Sequence, residues 1–337
     1  MKYLFKKFWM LILFSIIIGV PIWIFCAYRT NKYLILKGDT TKFESVIDID
    51  TNYTEEGSFS TIYVISFDKS TLFQNFITKN NPRVESGELS VAEAAMSDSD
   101  NYKASKIQYY SSIEISLILA YTEAKKEDDS INIDYKFYSY DVTYIDTSSD
   151  FKIGDRIIGI NDVDNSNRVI LLEALRKRII GDKVKVIRDD KEIIITLTET
   201  SGFSAYQRYN INMDNTYPKY KFKDNYIGGP SGGLLQTLSI YNRLTKEDLT
   251  HGLKIAGTGT ISINGNVGLI GGVREKVPTA IDDDINIFFV ASGNYDDALE
   301  SYNSISNKKN MKLVKIETFY DCLNYLKEGY KNDFQGL

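Results

Sequence analysis

From Phe8 to Ala27 the chain reads FWMLILFSIIIGVPIWIFCA, with no charged residue. As a helix rising 1.5 Å per residue, such a run reaches about 30 Å, the thickness of a bilayer's hydrocarbon core. This reads as a transmembrane helix. Trp9 and Trp23 stand near its ends, where amphipathic rings favour the two interfaces, and Gly19 and Pro21 are tolerated in a spanning helix. A cleaved signal peptide has a shorter apolar core followed by a small-x-small site, whereas this run ends Trp23-Ile24-Phe25-Cys26, too bulky for that cut. Basic residues flank both ends (Lys2, Lys6 and Lys7 before; Arg29, Lys32, Lys37 and Lys42 after), so their count does not set orientation. A large body behind an N-terminal apolar segment is expected to be translocated. The expectation is therefore a single-pass protein of the cell membrane, with residues 1–30 as cytoplasmic tip and anchor and the remainder extracellular.

At 337 residues the chain suits two compact domains plus the anchor, and 43% apolar with 25% charged residues is an ordinary globular composition. A net charge of −5 without a concentrated basic face gives no reason to expect a nucleic-acid partner. Cys26 lies inside the apolar run and Cys322 near the other end, so no disulfide is expected between them. A histidine-based triad or metal site would have to use His251, the sole histidine. The run Asp282-Asp283-Asp284 reads as a solvated helix end. No cofactor or metal is expected.

Residues 31–130 read as a β-rich region, on the β-branched and aromatic content of SFSTIYVISF, with NNPRVESGELS as a loop and a helix over 109–125. In 131–200 a strand over 138–145 is followed by Gly154-Asp155 leading into a short apolar strand. A helix over 168–179 comes next, with Val169, Leu172, Leu175 and Ile179 on one face, and then a hairpin turning at Asp189-Asp190. This order resembles a PDZ domain of the bacterial, protease-associated kind. The resemblance implies a groove between the first strand and the helix, taking an extended peptide by strand addition. The glycine-containing loop that would receive a terminal carboxylate is not evident in DYKFYSYDV. A small packing domain that positions the next one is the other reading.

The chemistry is concentrated further on. In GGPSGGLLQTLSIYNRL, starting at Gly228, a glycine-rich turn feeds an apolar helix and leaves Ser231 at its N-terminus. Backbone N–H groups converge there, Gly229 and Gly232 among the candidate donors to an oxyanion. Alone, that motif is equally a tight turn or a phosphate-binding loop. HGLKIAGTGTISINGNVGLI follows, a β pair turning at Asn264-Gly265, and then GGVREKVPTAI, in which Gly271-Gly272 opens a helix bearing Lys276. His251 is expected at the C-terminal end of the preceding helix rather than as a base.

These motifs, in this order, resemble the proteolytic domain of Lon-type proteases over 203–330. The resemblance implies Ser231 as nucleophile, Lys276 as general base and Thr258 as the residue orienting the lysine; Asn294 matches a family asparagine without an assigned role. Gly232 replaces the commoner alanine, and Pro278 stands where an aliphatic residue is usual, in what reads as the first helical turn. As a base, Lys276 must be neutral, which needs a downward shift of roughly three pKa units, about 4 kcal/mol, from desolvation. Ile270, Val273, Val277 and the Leu234 to Leu238 face are the candidates for that apolar pocket.

The fold class expected is α+β: an N-terminal transmembrane helix, a β-rich region with a PDZ-like domain, and a C-terminal Lon-type domain. Taken whole, the chain resembles the membrane-anchored PDZ-containing Lon-like proteases of Gram-positive bacteria. That implies an ATP-independent serine endopeptidase acting on exported peptides or segments of surface proteins, including a secreted signal peptide or pheromone, with self-association a family habit. No G-x-x-x-x-G-K-[ST] phosphate loop occurs in the sequence. The competing readings are an inactive membrane scaffold that binds peptides, and a protease served by a separate ATPase partner.

Overall fold

The structure, a computed structural model, describes residues 2–81, 83–200, 202–223 and 227–334. Helix α1 (Lys2–Ala27) contains the apolar run, of which Phe8–Ala27 is long and apolar enough to cross a membrane and has no buried residue.

The elements that follow are β1 (Lys32–Lys42), β2 (Ile47–Ile49), β3 (Ser58–Phe67), α2 (Leu72–Thr78), β4 (Val84–Glu88), α3 (Val91–Ala95) and α4 (Asp98–Ala124). Two sequence expectations change here. The segment read as a loop contains β4, which pairs antiparallel with β1. The helix expected over 109–125 begins eleven residues earlier, because Ser97 and Asp100 close a capping box at its N-terminus.

The middle of the chain comprises β5 (Tyr135–Ile145), β6 (Arg156–Ile160), β7 (Val163–Asp164), α5 (Arg168–Arg176), β8 (Lys183–Arg188), β9 (Lys191–Thr196) and β10 (Phe203–Ile211). These strands form one sheet in the order β10-β5-β6-β8-β9, with β7 on β6. The β8–β9 hairpin turns at Asp189 and Asp190, both with positive φ, as the tight turn requires. Helix α5 ends at Arg176, so Ile179 lies beyond it; on the helix Leu171 and Leu175 are buried and Leu172 partly so, while Val169 is exposed, which places Leu171 rather than Val169 on the inward face. One edge of β5 is paired with β10 from Tyr135 to Ile145, and on the other side the Asn165 amide donates to the Tyr138 carbonyl.

The last part holds β11 (Tyr220–Phe222), α6 (Gly233–Leu244), β12 (Lys254–Thr258), β13 (Thr260–Ile261), β14 (Val267–Gly268), α7 (Val273–Asp282), β15 (Ile287–Ala291), α8 (Tyr295–Ser304), β16 (Lys312–Ile316) and α9 (Phe319–Asn324). Strands β16, β15, β12 and β3 run parallel in that order, and β1 and β4 extend the sheet antiparallel. The near-continuous apolar runs KIAGT and IFFVA suit strands covered on both faces. Ile255, Ile287 and Phe289 point into one core with Leu234 and Leu238 of α6 and Ile113 of α4. Ala256, Phe288 and Val290 point the other way, against Val273, Val277 and Ala280 of α7. Helices thus cover both faces.

Pairing crosses the boundaries drawn from sequence. Half of the sheet that carries the site comes from residues 32–88, β10 joins β5, and β11 pairs back onto β2. Helix α4 ties the two sheets together: its Glu114 accepts from Arg208 of β10 at 2.6 Å, and Arg208 also reaches Asp141 of β5.

Candidate active site

Ser231 ends the turn from Gly228 and directly precedes Gly232, the N-cap of α6. The turn is held from behind by α4. Gly229 donates its N–H to the Ser105 carbonyl at 3.0 Å, the Ser112 hydroxyl donates to the Pro230 carbonyl at 3.2 Å, and Ser116 donates to the Gly233 carbonyl at 3.0 Å. These small α4 hydroxyls were not singled out from the sequence. In the run YYSSIEIS their period-four spacing (Ser112, Ser116) is the signal that could have found them.

Gly229, expected to help stabilise an oxyanion, does not offer its N–H: that group is engaged by Ser105, and the residue serves the turn through its φ of +76°. The N–H groups of Ser231 and Gly232 accept no such obligation, since among the described residues nothing takes either of them. Gly232 is small for a reason, because an added Cβ would lie 2.9 Å from Thr61 Oγ1 on β3.

Thr258 terminates β12, at the C-terminal edge of the parallel strands where sheets of this kind commonly place their chemistry. Its hydroxyl donates to the Ser231 carbonyl at 3.2 Å. The Gly259 N–H donates to the same carbonyl at 2.9 Å.

Lys276 arrives from α7, on the opposite face of the sheet from α6. Gly272, in the left-handed region at φ +69°, caps that helix, and its Cα packs so closely on Ile35 and Val64 that a Cβ would crowd them. The Lys276 amine lies 2.9 Å from Ser231 Oγ and 3.0 Å from Thr258 Oγ1. The side chain is 1% exposed. Burial pulls its pKa from the usual lysine value down to about 7. The preceding Glu275 provides no compensation: burial, with Glu85 of β4 nearby, raises its own pKa. The three residues picked from sequence are thus brought into one hydrogen-bonded unit; of the apolar residues expected around the amine, Val273 and Val277 are buried on the α7 side of the sheet, while Leu234 and Leu238 pack into the core on the other side.

Asn294, which had no role, acts on the turn before α7. Its Oδ1 accepts from the Ile270 N–H at 2.9 Å and its Nδ2 donates to the Ile270 carbonyl at 3.0 Å. Pro278 is the sixth residue of α7, beyond the first turn where proline is free of consequence. The Arg274 carbonyl it leaves without a helical donor receives the Ser301 hydroxyl at 2.7 Å. His251 lies past the end of α6 in a turn with positive φ, not on the helix. Its Nε2 is 2.9 Å from the Leu326 carbonyl and its ring stacks on Tyr330 at 4.1 Å, which occupies it away from Ser231. Asp282 and Asp284 pair with Lys37 and Lys309. Cys322 is a buried free thiol.

Residues 224–327 match the family model of the Lon protease (S16) C-terminal proteolytic domain. Among curated proteins, the Lon protease of Campylobacter jejuni is 29% identical over 153 residues, 44% of this chain and 18% of that protein. The Lon protease of Campylobacter concisus is 28% identical over 153 residues, 42% of this chain and 18% of that protein. The Lon protease of Metamycoplasma arthritidis is 31% identical over 101 residues, 30% of this chain and 12% of that protein. The chain therefore spans less than a fifth of the length of these relatives. The segment that holds Ser231, Thr258 and Lys276 is similar to the C-terminal proteolytic domain of Lon proteases.

Proposed function

We propose that the chain is a membrane-anchored serine endopeptidase that cleaves exported peptides, or accessible segments of surface proteins, through a Ser231–Lys276 dyad and without ATP. The observation that carries the peptidase reading is a buried lysine with no anionic partner among the described residues, aimed at a serine hydroxyl 2.9 Å away. Holding an amine this way is unfavourable for folding, so its use lies in chemistry.

In the proposed reaction the neutral amine takes the hydroxyl proton as Ser231 Oγ bonds to the scissile carbonyl carbon. The oxyanion faces the free N–H groups of Ser231 and Gly232 beside the N-terminus of α6. The ammonium then gives its proton to the leaving nitrogen, the C–N bond breaks, and an acyl ester remains. Water repeats the sequence, with Lys276 taking its proton and returning it to Oγ. Thr258, hydrogen-bonded to the amine, restricts its rotation.

Support for the setting comes from the apolar helix α1 and from the lack of a phosphate-binding loop in the sequence, which favours substrates that arrive unfolded. Secreted peptide signals are of that kind. Incubating the Ser231→Ala and unchanged proteins with exported peptides and reading cleavage by mass spectrometry tests the activity. Products that persist without the hydroxyl overturn it, and an absence of products from both leaves the peptide-binding scaffold as the better reading. A reporter fused after Thr30 tests the side of the membrane, and a cytoplasmic report would favour service by an ATPase partner.

A further inference from the structure

Helix α2 has its amphipathicity reversed. Its exposed side chains are Leu72, Phe73, Phe76 and Ile77, with Phe76 70% exposed, and their i, i+1, i+4, i+5 spacing puts them on one face. Its polar side chains turn inward. Asn75 donates to Thr30 Oγ1 and accepts from Ser70 Oγ, both at 2.9 Å, while Gln74 closes a capping box with Thr71. A helix that meets water presents the opposite arrangement.

This apolar face is continuous with the membrane segment. The Phe25 ring, in the last turn of the apolar run, packs edge-on against Phe73 at 6.0 Å and Phe76 at 5.9 Å. The connection is short and bonded, because the Leu72 N–H donates to the Tyr28 carbonyl and Arg29 bridges to Thr71. Lys79 and Arg83, both exposed, follow the helix. We propose that α2 lies in the interfacial layer of the leaflet from which α1 emerges, its four apolar side chains at the acyl boundary and Lys79 and Arg83 among anionic headgroups. This rests on reading α1 as a membrane-spanning helix.

The contact seats the folded body at two points and sets the height of the nucleophile. Asp98, the first residue of α4, is paired with Arg29 at 2.9 Å. Seven residues, about 10 Å of helix, separate it from Ser105, whose carbonyl holds the turn before Ser231. Between Arg29, Thr71 and Gln74 on one side and Ser105 and Gln108 on the other lies a cleft of about 780 Å³. It opens beside the proposed lipid contact.

The test uses the full chain carrying Ser231→Ala and Cys26→Ser, one molecule per lipid nanodisc of phosphatidylcholine and phosphatidylglycerol, so peptide cleavage plays no part. An environment-sensitive fluorophore is attached at Phe76→Cys, at Ile77→Cys, or at Ile194→Cys on β9 as a remote exposed control. The expected result is blue-shifted emission at 76 and 77, quenched at least threefold more by lipids spin-labelled near the headgroup than at 194. Emission at 76 and 77 matching that at 194 overturns the proposal, as does protection that develops only in discs holding two chains, or a chain that fails to enter discs at all. In a companion measurement, Phe73→Ser/Phe76→Ser is expected to leave vesicle flotation intact through α1 while trypsin cuts at Arg29 and Lys32 at least tenfold faster. An unchanged rate counts against the lipid contact.

Discussion

Asn294 binds both polar groups of Ile270, accepting from its N–H and donating to its carbonyl, and so holds the backbone that leads into Gly271 and Gly272. Lys276 stands four residues beyond Gly272, so this pair of bonds sets where the base-bearing helix starts. Replacing Asn294 by Ala is expected to lower kcat about tenfold with KM within twofold, since small misplacements of a reacting group are costly. Steady-state kinetics check this. A raised KM with unchanged kcat would assign Asn294 to substrate contact instead.

Lys276 makes activity depend on pH in a definite direction. Because burial lowers its pKa to about 7, the neutral base form accumulates above that pH, and kcat/KM is expected to rise through pH 7 and then level off. Lys276→Arg, which stays charged, is expected to lose at least a thousandfold. Initial-rate profiles between pH 5 and 9 provide the measurement.

The same shift carries a stability cost of opposite use. Between about 7 and the normal lysine range the unfolded chain binds a proton that the folded chain does not, so stability rises with pH across that window and the penalty is full below it. Lys276→Met is therefore expected to be inactive yet more stable, with the gain largest near pH 6, bounded by about 5 kcal/mol, and fading toward pH 10. Denaturant melts at pH 6 and 9.5 should show the difference.

Gly232 and Thr61 form a steric pair. A methyl group at 232 would lie 2.9 Å from Thr61 Oγ1, so Gly232→Ala alone is expected to displace the nucleophile turn and reduce kcat about tenfold. Thr61→Ala in the same chain is expected to recover most of it. Failure of the double variant to exceed the single one would remove the steric account.

Ser301 substitutes for the N–H that Pro278 lacks. Ser301→Ala should orphan the Arg274 carbonyl and cost about 1–2 kcal/mol. In a Pro278→Ala background, where a helical N–H returns, the same change is expected to cost much less. Thermal denaturation of the four proteins closes the cycle.

The Ser231–Thr258–Lys276 cluster is legible in sequence because each of the three sits in a local motif: a glycine turn for Ser231, a strand end for Thr258 and a glycine-capped helix for Lys276. What was not legible is non-local. β4 reads as a loop in sequence because an edge strand pairs on one side only, and its composition is weakly constrained. The first turns of α4 (DSDNYKAS) are too polar to show a helical period, although the Ser97–Asp100 box marks their start. Helix α2 disappears inside a β-rich stretch of sequence despite its Thr71–Gln74 box, because an outward apolar face does not look like a surface helix. For Gly229, sequence identifies a glycine turn but not the Ser105 carbonyl that occupies its N–H.

The parallel ladder of β12 beside β3 joins segments nearly two hundred residues apart, and that separation orders events in time. A chain growing from its N-terminus has β1 and β3 early, yet β3 keeps an unpaired edge until residues 254–258 arrive, and the lysine comes later still. Long-range pairing of this kind is slow to form. The nascent protein therefore passes through synthesis with Ser231 apart from Lys276, and the cluster around Thr258 assembles only when the last quarter of the chain closes the sheet.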